Sequence, residues 1–275
     1  DPKGLKFVSL CEAVYNKAKL DEDRAQRLNE NGGEFTAGLK KLIEGLSVTN
    51  QFANEEVASN YVYPQGYTVR GITEQTNILR GLFPGVGFAD EKIAEQPLPP
   101  NAEGWFAIPK WQTMAATYNE AVEEVLAMIC QKRKFVNYRD GALGANHLRQ
   151  YARTEKMFQT FCEEQKDHDI LVVPAQFGLR HRGRSVRRAR EVFTKSEFGL
   201  GAFAVACMLL THPEREIQWE QLHVDCAGDE YSPHAVGQWY GAPIFYFYDG
   251  KVKFDTHWVS DAYERFGSAS GFLPQ

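Results

Sequence analysis

Six arginines and one histidine lie within the eleven residues from Arg180 to Arg190, in the stretch FGLRHRGRSVRRAREVF. The chain as a whole is acidic, with 36 Asp and Glu residues against 31 Lys and Arg residues and a formal net charge of −5. Guanidinium groups match phosphate oxygens bidentately, and Gly178 and Gly183 would let backbone N–H groups approach a ligand closely. The segment therefore predicts a site for a phosphate-bearing ligand.

Nucleic acid is the ligand that we predict above all for this arginine segment, with a phosphorylated small molecule as the other candidate partner. The acidic balance of the chain weighs against broad non-specific binding of DNA, although it is compatible with a local basic patch. The predicted ligand-binding residues are Arg180, His181, Arg182, Arg184, Arg187 and Arg188, with Lys251 and Lys253 as accessories.

The alternative is that carboxylates of the same chain neutralise the arginines. Ser185 is a predicted N-cap of a helix whose inner side carries Val186 and Ala189. Cations in the first turn of such a helix oppose its dipole, at a cost of roughly 0.3–1 kcal/mol each. Either a bound anion or internal acids must offset this cost, and internal acids would make the chain a structural or protein-interaction protein.

A second group of polar residues lies in LHVDCAGDEYSPH, towards the C-terminal end. If its first part is a strand, His223 and Asp225 share one face, and Asp229 and His234 follow across a turn. Nitrogen and oxygen ligands of this kind suit hard and borderline metals, so these four residues are candidate metal ligands. Their spacing matches no metal motif, and we favour the simpler interpretation that they are solvated strand ends and turn caps.

Cys226 lies within this group and could form a thiolate–imidazole pair with His223 or His257. These three residues are the candidate catalytic groups of a hydrolase, which would act with or without a metal on an anionic substrate held by the arginines. A cysteine on the apolar side of a strand more often belongs to the core, and this is the interpretation that we favour for Cys226.

The strongest local pattern is a β-hairpin over residues 244–248 and 251–257. Asp249-Gly250 supplies the positive φ angles that a two-residue type I′ turn requires. Rings interleaved with lysines on a sheet can stack nucleic-acid bases, but tyrosines also commonly edge a core, and we favour the second interpretation. With Asp249-Gly250 as the loop, one face of the hairpin is apolar, and the other face carries Ile244, Tyr246, Tyr248, Lys251 and Lys253.

Helical periodicity dominates the first part of the chain and strand patterns dominate the last part. The predicted fold class is α+β, with a helical N-terminal part and a mixed or antiparallel sheet in the C-terminal part around a buried helix. Residues 1–110 are predicted as a mainly helical region with a Gly/Pro-rich joint at 81–110, and residues 111–275 as an α+β region; the two could also form one continuous domain. The predicted helices cover residues 5–18, 35–46, 118–132, 146–166 and, as the buried one, 198–210; the other predicted strands cover 61–69, 169–174 and 217–226.

The remaining composition narrows the class of protein. Five cysteines are scattered singly, which is unlike a disulfide framework or a CxxC zinc site and is typical of a reducing cytoplasm. No apolar run reaches the ~18–20 residues that a membrane-spanning helix needs, so no membrane partner is expected. The sequence indicates no particular cofactor and no oligomeric state.

Three stretches together carry a family resemblance: LVVPAQFGLRHRGRSVRRAREVF, VDCAGDEYSP and GSASGFLPQ. Over about the last hundred residues the chain resembles a bacterial protein family to which no activity is assigned. The resemblance implies a bacterial, cytoplasmic protein and transfers no functional residue.

Overall fold

The computed structural model describes residues 2–47, 50–235 and 237–274, and the chain divides into two compact units between residues 49 and 50. Helices and two sheets together confirm the predicted α+β class. The division falls well before the predicted joint at 81–110. That stretch belongs to the second unit, because Phe83 and Val86 are buried in its core and Gly104–Pro109 forms one of its strands.

The first unit consists of three helices, α1 (Pro2–Ala18), α2 (Glu22–Glu30) and α3 (Gly32–Ser47). The helices predicted over 5–18 and 35–46 are confirmed. Asp21 caps α2, since its side chain accepts a hydrogen bond of 2.8 Å from the backbone N–H of Arg24. None of the side chains described in this unit is buried.

The second unit contains all the strands of the described chain. Its elements follow in the order α4 (Ile72–Leu82), β1 (Gly104–Pro109), α5 (Tyr118–Lys132), β2 (Phe135–Asn137), β3 (Leu148–Gln150), α6 (Ala152–Glu164), β4 (Ile170–Gln176), α7 (Val186–Val192), β5 (Glu197–Gly199), α8 (Ala202–Thr211), β6 (His223–Asp225), β7 (Asp229–Tyr231), β8 (Gly241–Tyr248), β9 (Lys251–Trp258), β10 (Phe266–Ser268) and β11 (Ser270–Phe272). No helix among the described residues has the length and apolarity to cross a membrane.

The strands form two sheets. The first is antiparallel, in the order β1-β4-β11-β5, and β4 is buried along its whole length, as its apolar run predicts. The second is mixed and is centred on β8, which pairs with β9 along one edge and with β6 and β7 along the other. Strand β3 extends it from β7, while β10 and β2 add parallel pairs to β6 and β9.

The buried helix and the hairpin are confirmed. Helix α8 is almost entirely buried and packs against α4, α5 and β1. It begins at Ala202 rather than near 198, because Glu197–Gly199 pairs with β11 as an edge strand. Strands β8 and β9 are joined by Asp249 and Gly250, whose φ angles of 53° and 69° are those of the predicted turn type.

Three predicted elements differ from the structure because long-range pairing overrides local periodicity. The helix predicted over 146–166 is confined to α6, since Leu148–Gln150 pairs with β7 instead. The strand predicted over 217–226 is reduced to β6, because the side-chain oxygen of Gln221 accepts from the N–H groups of Ile217 and Gln218 and closes a turn. Residues 61–69 form no strand.

Within the second unit, Gly183 ties residues 50–61 to the arginine segment. The carbonyl of Gly183 accepts a hydrogen bond of 2.8 Å from Val57, and its N–H donates to Phe266 over the same distance. Gly183 has a φ of +75°, and a Cβ added there would overlap the carbonyl oxygen of Val57. Both the backbone conformation and the close approach therefore require glycine at this position.

We expect Gly183→Ala to lower the free energy of unfolding by about 3 kcal/mol, with about 1 kcal/mol from the positive φ and the rest from the clash. Gly66→Ala is the matched control, because Gly66 also has a positive φ of +84° but faces open space. It should lose only the conformational part, about 1 kcal/mol. Urea unfolding of the two variants measures the difference, and equal losses would contradict the close approach.

Candidate functional site

The arginine segment leaves the end of β4 and leads into α7. A short 3₁₀ turn covers Leu179–His181, and the Ser185 side chain accepts a hydrogen bond of 3.1 Å from the N–H of Arg188. The predicted cap is therefore confirmed. It fixes the start of α7 and with it the directions in which the arginines leave the backbone.

Three of the arginines bind carboxylates far away in the sequence or on their own helix. Arg187 donates from Nε to both oxygens of Glu55, at 2.9 and 2.8 Å, across 132 residues. Arg188 donates to Glu56 at 2.5 Å and to Glu191 at 2.9 Å, and Arg184 lies 3.3 Å from Glu56. The hydrogen bond from Arg187 holds the pKa of Glu55 below its ordinary value.

Arg180 and His181 share one buried acid, Glu197. Its Oε1 accepts from Arg180 Nε at 3.0 Å, from His181 Nε2 at 2.7 Å and from Ser270 Oγ at 2.8 Å. Burial by itself would raise the pKa of Glu197, but the His181 hydrogen bond and the Arg180 charge outweigh burial and lower it. Arg184 lies 3.2 Å from His181 Nδ1, so that nitrogen is the acceptor and the buried imidazole is neutral, in line with its lowered pKa.

The other two arginines bind backbone carbonyls. Arg182 donates to Tyr61 at 3.0 Å, and Arg190 donates to Ala227 at 2.9 Å and to Asp229 at 2.7 Å while lying over the Tyr151 ring. All six guanidinium groups of the segment thus have partners inside the fold. For this segment the geometry favours the alternative interpretation of internal pairing over an anion site.

The predicted hairpin register also places residues of the second sheet on common faces. Tyr248 pairs with Lys251, and Phe245 pairs with Phe254. Phe245 and Phe254 lie in the apolar core with Val224, so the other side chains of these strands form the opposite side of the sheet, which we call the outer face. Its members are His223 and Asp225 on β6, Ile244, Tyr246 and Tyr248 on β8, Lys251, Lys253, Asp255 and His257 on β9, and Phe266 and Ser268 on β10.

Two cations at the outer face lie on aromatic rings. Lys253 Nζ donates to the Tyr138 hydroxyl at 2.9 Å and lies 4.8 Å from the centre of the Tyr248 ring. The Arg265 guanidinium lies 4.4 Å from the centre of the Trp219 ring, which itself contacts Tyr248 at 4.9 Å. Tyr138 and Tyr248 are each 49% exposed, so these rings remain open to a ligand.

The cations of the outer face differ from the arginine segment in their charge partners. Within the described part of the chain, Lys251, Lys253 and Arg265 form no ion pair with a carboxylate. Their positive charge is therefore not cancelled by the fold. Sequence reasoning identified the two lysines but missed Tyr138, Trp219 and Arg265, which lie in loops where no periodicity indicates a common face.

One carboxylate–imidazole pair lies on the outer face. His257 Nε2 is 3.0 Å from Asp225 Oδ1, and the Asp225 side chain is completely buried. Burial by itself would lower the pKa of His257, but the charge and hydrogen bond of Asp225 raise it. Asp225 Oδ2, His257 Nδ1 and the nearby Ser268 Oγ are buried and have no hydrogen-bond partner among the described residues.

The other predicted catalytic and metal-binding residues do not meet at this pair. His223 stacks on Tyr246, and burial lowers its pKa to about 3. Cys226 lies on the core side of the sheet, where burial raises the thiol pKa, so it pairs with neither His223 nor His257. The predicted cysteine–histidine pair is therefore not formed.

The predicted metal ligands also separate. Asp229 turns into the core, where it accepts hydrogen bonds from the Tyr118 hydroxyl at 2.8 Å and from the N–H of Ala202 at 2.6 Å. His234 lies in an exposed turn after β7, away from the stacked His223. Over residues 2–47, 50–235 and 237–274 no three His, Cys, Asp or Glu side chains are placed to hold a metal ion, and the predicted set His223, Asp225, Asp229 and His234 does not form one.

We expect Glu197→Gln to change how stability depends on pH. The pKa of Glu197 is lower in the folded chain than in the unfolded chain, so its contribution is present above about pH 4.5 and is lost as the pH falls below that value. The free energy of unfolding of the wild type should therefore fall more steeply below pH 4.5 than that of the variant. At pH 7 the variant should be less stable by about 3 kcal/mol, because Arg180 loses its buried partner.

Urea unfolding from pH 3 to pH 7 measures both effects. Glu163→Gln is the control, since Glu163 is exposed and has no ion pair in the described structure; its curve should follow the wild type. Parallel curves for Glu197→Gln and the wild type would show that Glu197 is not ionised inside the fold.

Comparisons with known proteins give no relative from which a function could be inferred, so the proposal below rests on the geometry of the chain itself. No protein-family model, no curated protein and no solved structure matches the chain. The resemblance to a bacterial family therefore stays a prediction.

Proposed function

We propose that the protein binds single-stranded nucleic acid on the outer face of the second sheet. The observation that carries this proposal is that Lys251 and Arg265, which are both partly exposed, lie beside aromatic rings and have no carboxylate partner in the described chain. Lys253 is buried against the same rings, at 8% exposure, so it adds positive charge beneath the face rather than a direct contact. The predicted class of ligand, a phosphate-bearing polymer, is retained. The proposed site moves from the arginine segment to the hairpin.

The physical basis is the combination of stacking surface and uncancelled charge. A cation above a ring is attracted to the ring quadrupole but keeps its full charge, so it can still attract a phosphate. Bases stack on exposed tyrosine and tryptophan rings at about 1–3 kcal/mol per base, with little dependence on sequence. Tyr138 and Tyr248 provide exposed rings and Trp219 a partly exposed one; Lys251 is the cross-strand partner of Tyr248, and Arg265 lies over Trp219.

The arginine segment supports the same ligand less well. The guanidinium groups already contact Glu55, Glu56 and Glu197. A phosphate would have to displace one of these carboxylates. Glu197 is completely buried, and removing such a partner leaves the other charge uncompensated, at a cost of about 3–5 kcal/mol. The Glu55 and Glu56 pairs are partly exposed and cost less to break. The outer face demands no such exchange.

The proposed binding should depend on salt and on single rings. Contacts from the two partly exposed cations, Lys251 and Arg265, to a single strand give a slope of about −1.4 in log K against log [salt]. Tyr248→Ala should weaken binding of a labelled oligothymidylate about tenfold, because one stacked base is lost. Lys251→Ala should reduce the salt slope by about 0.7. Fluorescence anisotropy at several salt concentrations measures all three quantities.

Two controls separate the outer face from general surface effects. Phe88 is 57% exposed and carries Arg80 at 3.5 Å from its ring centre, but it lies beside the first sheet, so Phe88→Ala should leave binding unchanged. Lys156 is an exposed lysine on α6, and Lys156→Ala should leave the salt slope unchanged. Equal losses in the Tyr248 and Phe88 variants, or no binding by the wild type at 50 mM salt, would reject the proposal.

The hydrolase alternative is reduced by the geometry to the Asp225–His257 pair. In such a pair the carboxylate orients the imidazole, and the free nitrogen takes a proton from water, which then attacks the substrate. His257 Nδ1 is that nitrogen, and it is buried and lies 3.9 Å from the Asp261 carboxylate, so a substrate would have to open this part of the face. The rings and cations therefore support binding more strongly than this pair supports hydrolysis.

The Asp225–His257 pair has its own pH dependence, which is measurable without a substrate. We expect the pKa of His257 to lie above its ordinary value of 6.5 and to fall in Asp225→Asn, because the charge that favours the imidazolium is removed. The contribution of the Asp225–His257 pair to the free energy of unfolding is fully present below pH 6.5, and it is lost as the pH rises through the raised pKa of His257. NMR titration of the imidazole in the wild type and in Asp225→Asn tests this; an unchanged pKa in the variant would contradict the pairing.

A further inference from the structure

A cleft of about 660 Å³ lies on the second unit, away from the outer face. It is enclosed by α6, by the end of β1 with the turn that follows it, and by the start of α8. This volume is in the range that small-molecule sites occupy. Its apolar lining is provided by Ile108, Trp111, Phe158, Leu171, Phe203 and Ala204.

The two ends of the cleft differ in charge. Glu155 and Glu163 both line it, and they are two helical turns apart on α6, about 12 Å at 1.5 Å per residue. Lys110 and Lys166 lie at the Glu163 end, where Lys110 Nζ donates to the carbonyls of Gln165 and Lys166 at 2.9 and 3.2 Å. The charge of Glu163 is thus opposed by neighbouring lysines. Glu155 has no such neighbour in the lining.

The Glu155 end also carries a buried polar pair. Tyr118 lines the cleft, and its hydroxyl donates to Asp229, which is itself completely buried. Gly201 also lines the cleft and lies against this pair, since a Cβ there would come within 2.5 Å of the Tyr118 hydroxyl. The missing side chain therefore lets this buried pair pack directly against Gly201, which lines the cleft, and burial raises the pKa of Asp229 to about 7.

We infer that this cleft binds a small molecule with an aromatic or otherwise apolar body and a protonated amine, with the amine at the Glu155 end. The body would lie among Trp111, Phe158 and Phe203, which offer ring faces and edges. The ammonium group would meet the Glu155 carboxylate, which forms no ion pair within the described chain. This site is independent of the proposed nucleic-acid face.

Three indole compounds with the same ring test the inference by isothermal titration calorimetry. Tryptamine carries an amine, indole is neutral and indole-3-acetate is an anion. We expect tryptamine to bind most tightly and indole-3-acetate least tightly. Indole-3-acetate binding as tightly as tryptamine, or no binding by tryptamine, would overturn the proposal.

The matched variants are Glu155→Gln and Glu163→Gln, which remove one charge each from the same helix. Glu155→Gln should weaken tryptamine binding about fivefold and leave indole binding unchanged, whereas Glu163→Gln should leave both unchanged. Equal effects of the two variants would reject the placement of the amine. Both side chains are exposed, so neither change should disturb folding. A saturating oligothymidylate should not displace tryptamine, and displacement would show that the two sites are one.

Discussion

The Glu197 carboxylate is the interaction on which the arrangement of the arginine segment depends. It is completely buried, and a buried carboxylate without partners would be expelled from the fold or would take up a proton. Arg180 and His181 reach it from the turn after β4, and Ser270 reaches it from β11. One anion therefore holds the start of the arginine segment against the first sheet and turns its charge inwards.

This constraint explains why a cluster of arginines is a poor guide to a binding surface in this chain. The segment binds Glu55 and Glu56, so its charge serves to anchor residues 50–61 rather than to attract a ligand. The uncancelled cations at the outer face are scattered along the chain, since β9 supplies Lys251 and Lys253 and the turn before β10 supplies Arg265. Charge density in the sequence and free charge on the surface are different quantities here.

What could be predicted from the sequence was local. Asp249-Gly250 determines the turn between β8 and β9, and Ser185 caps α7. The apolar positions of α5 predict where that helix begins and ends. All three features depend only on neighbours a few residues away in the sequence. The pairing of Arg187 with Glu55 joins residues 132 apart, and nothing in either local pattern indicates the other. The same holds for Trp219 and Arg265, whose meeting at the outer face depends on how two loops end against the sheet. Alternation on β6 did indicate which side Cys226 would take.

The sandwiching of Lys253 between Tyr138 and Tyr248 has a consequence for the thermodynamics of any encounter at this face. A flexible lysine and two mobile rings would each lose rotamer freedom when a guest arrives, at about 0.5–1.5 kcal/mol per side chain. Here that loss has already occurred during folding, and β8 is fixed by strands on both of its edges. The face is preorganised, so stacking on it would be opposed mainly by the guest's own loss of freedom.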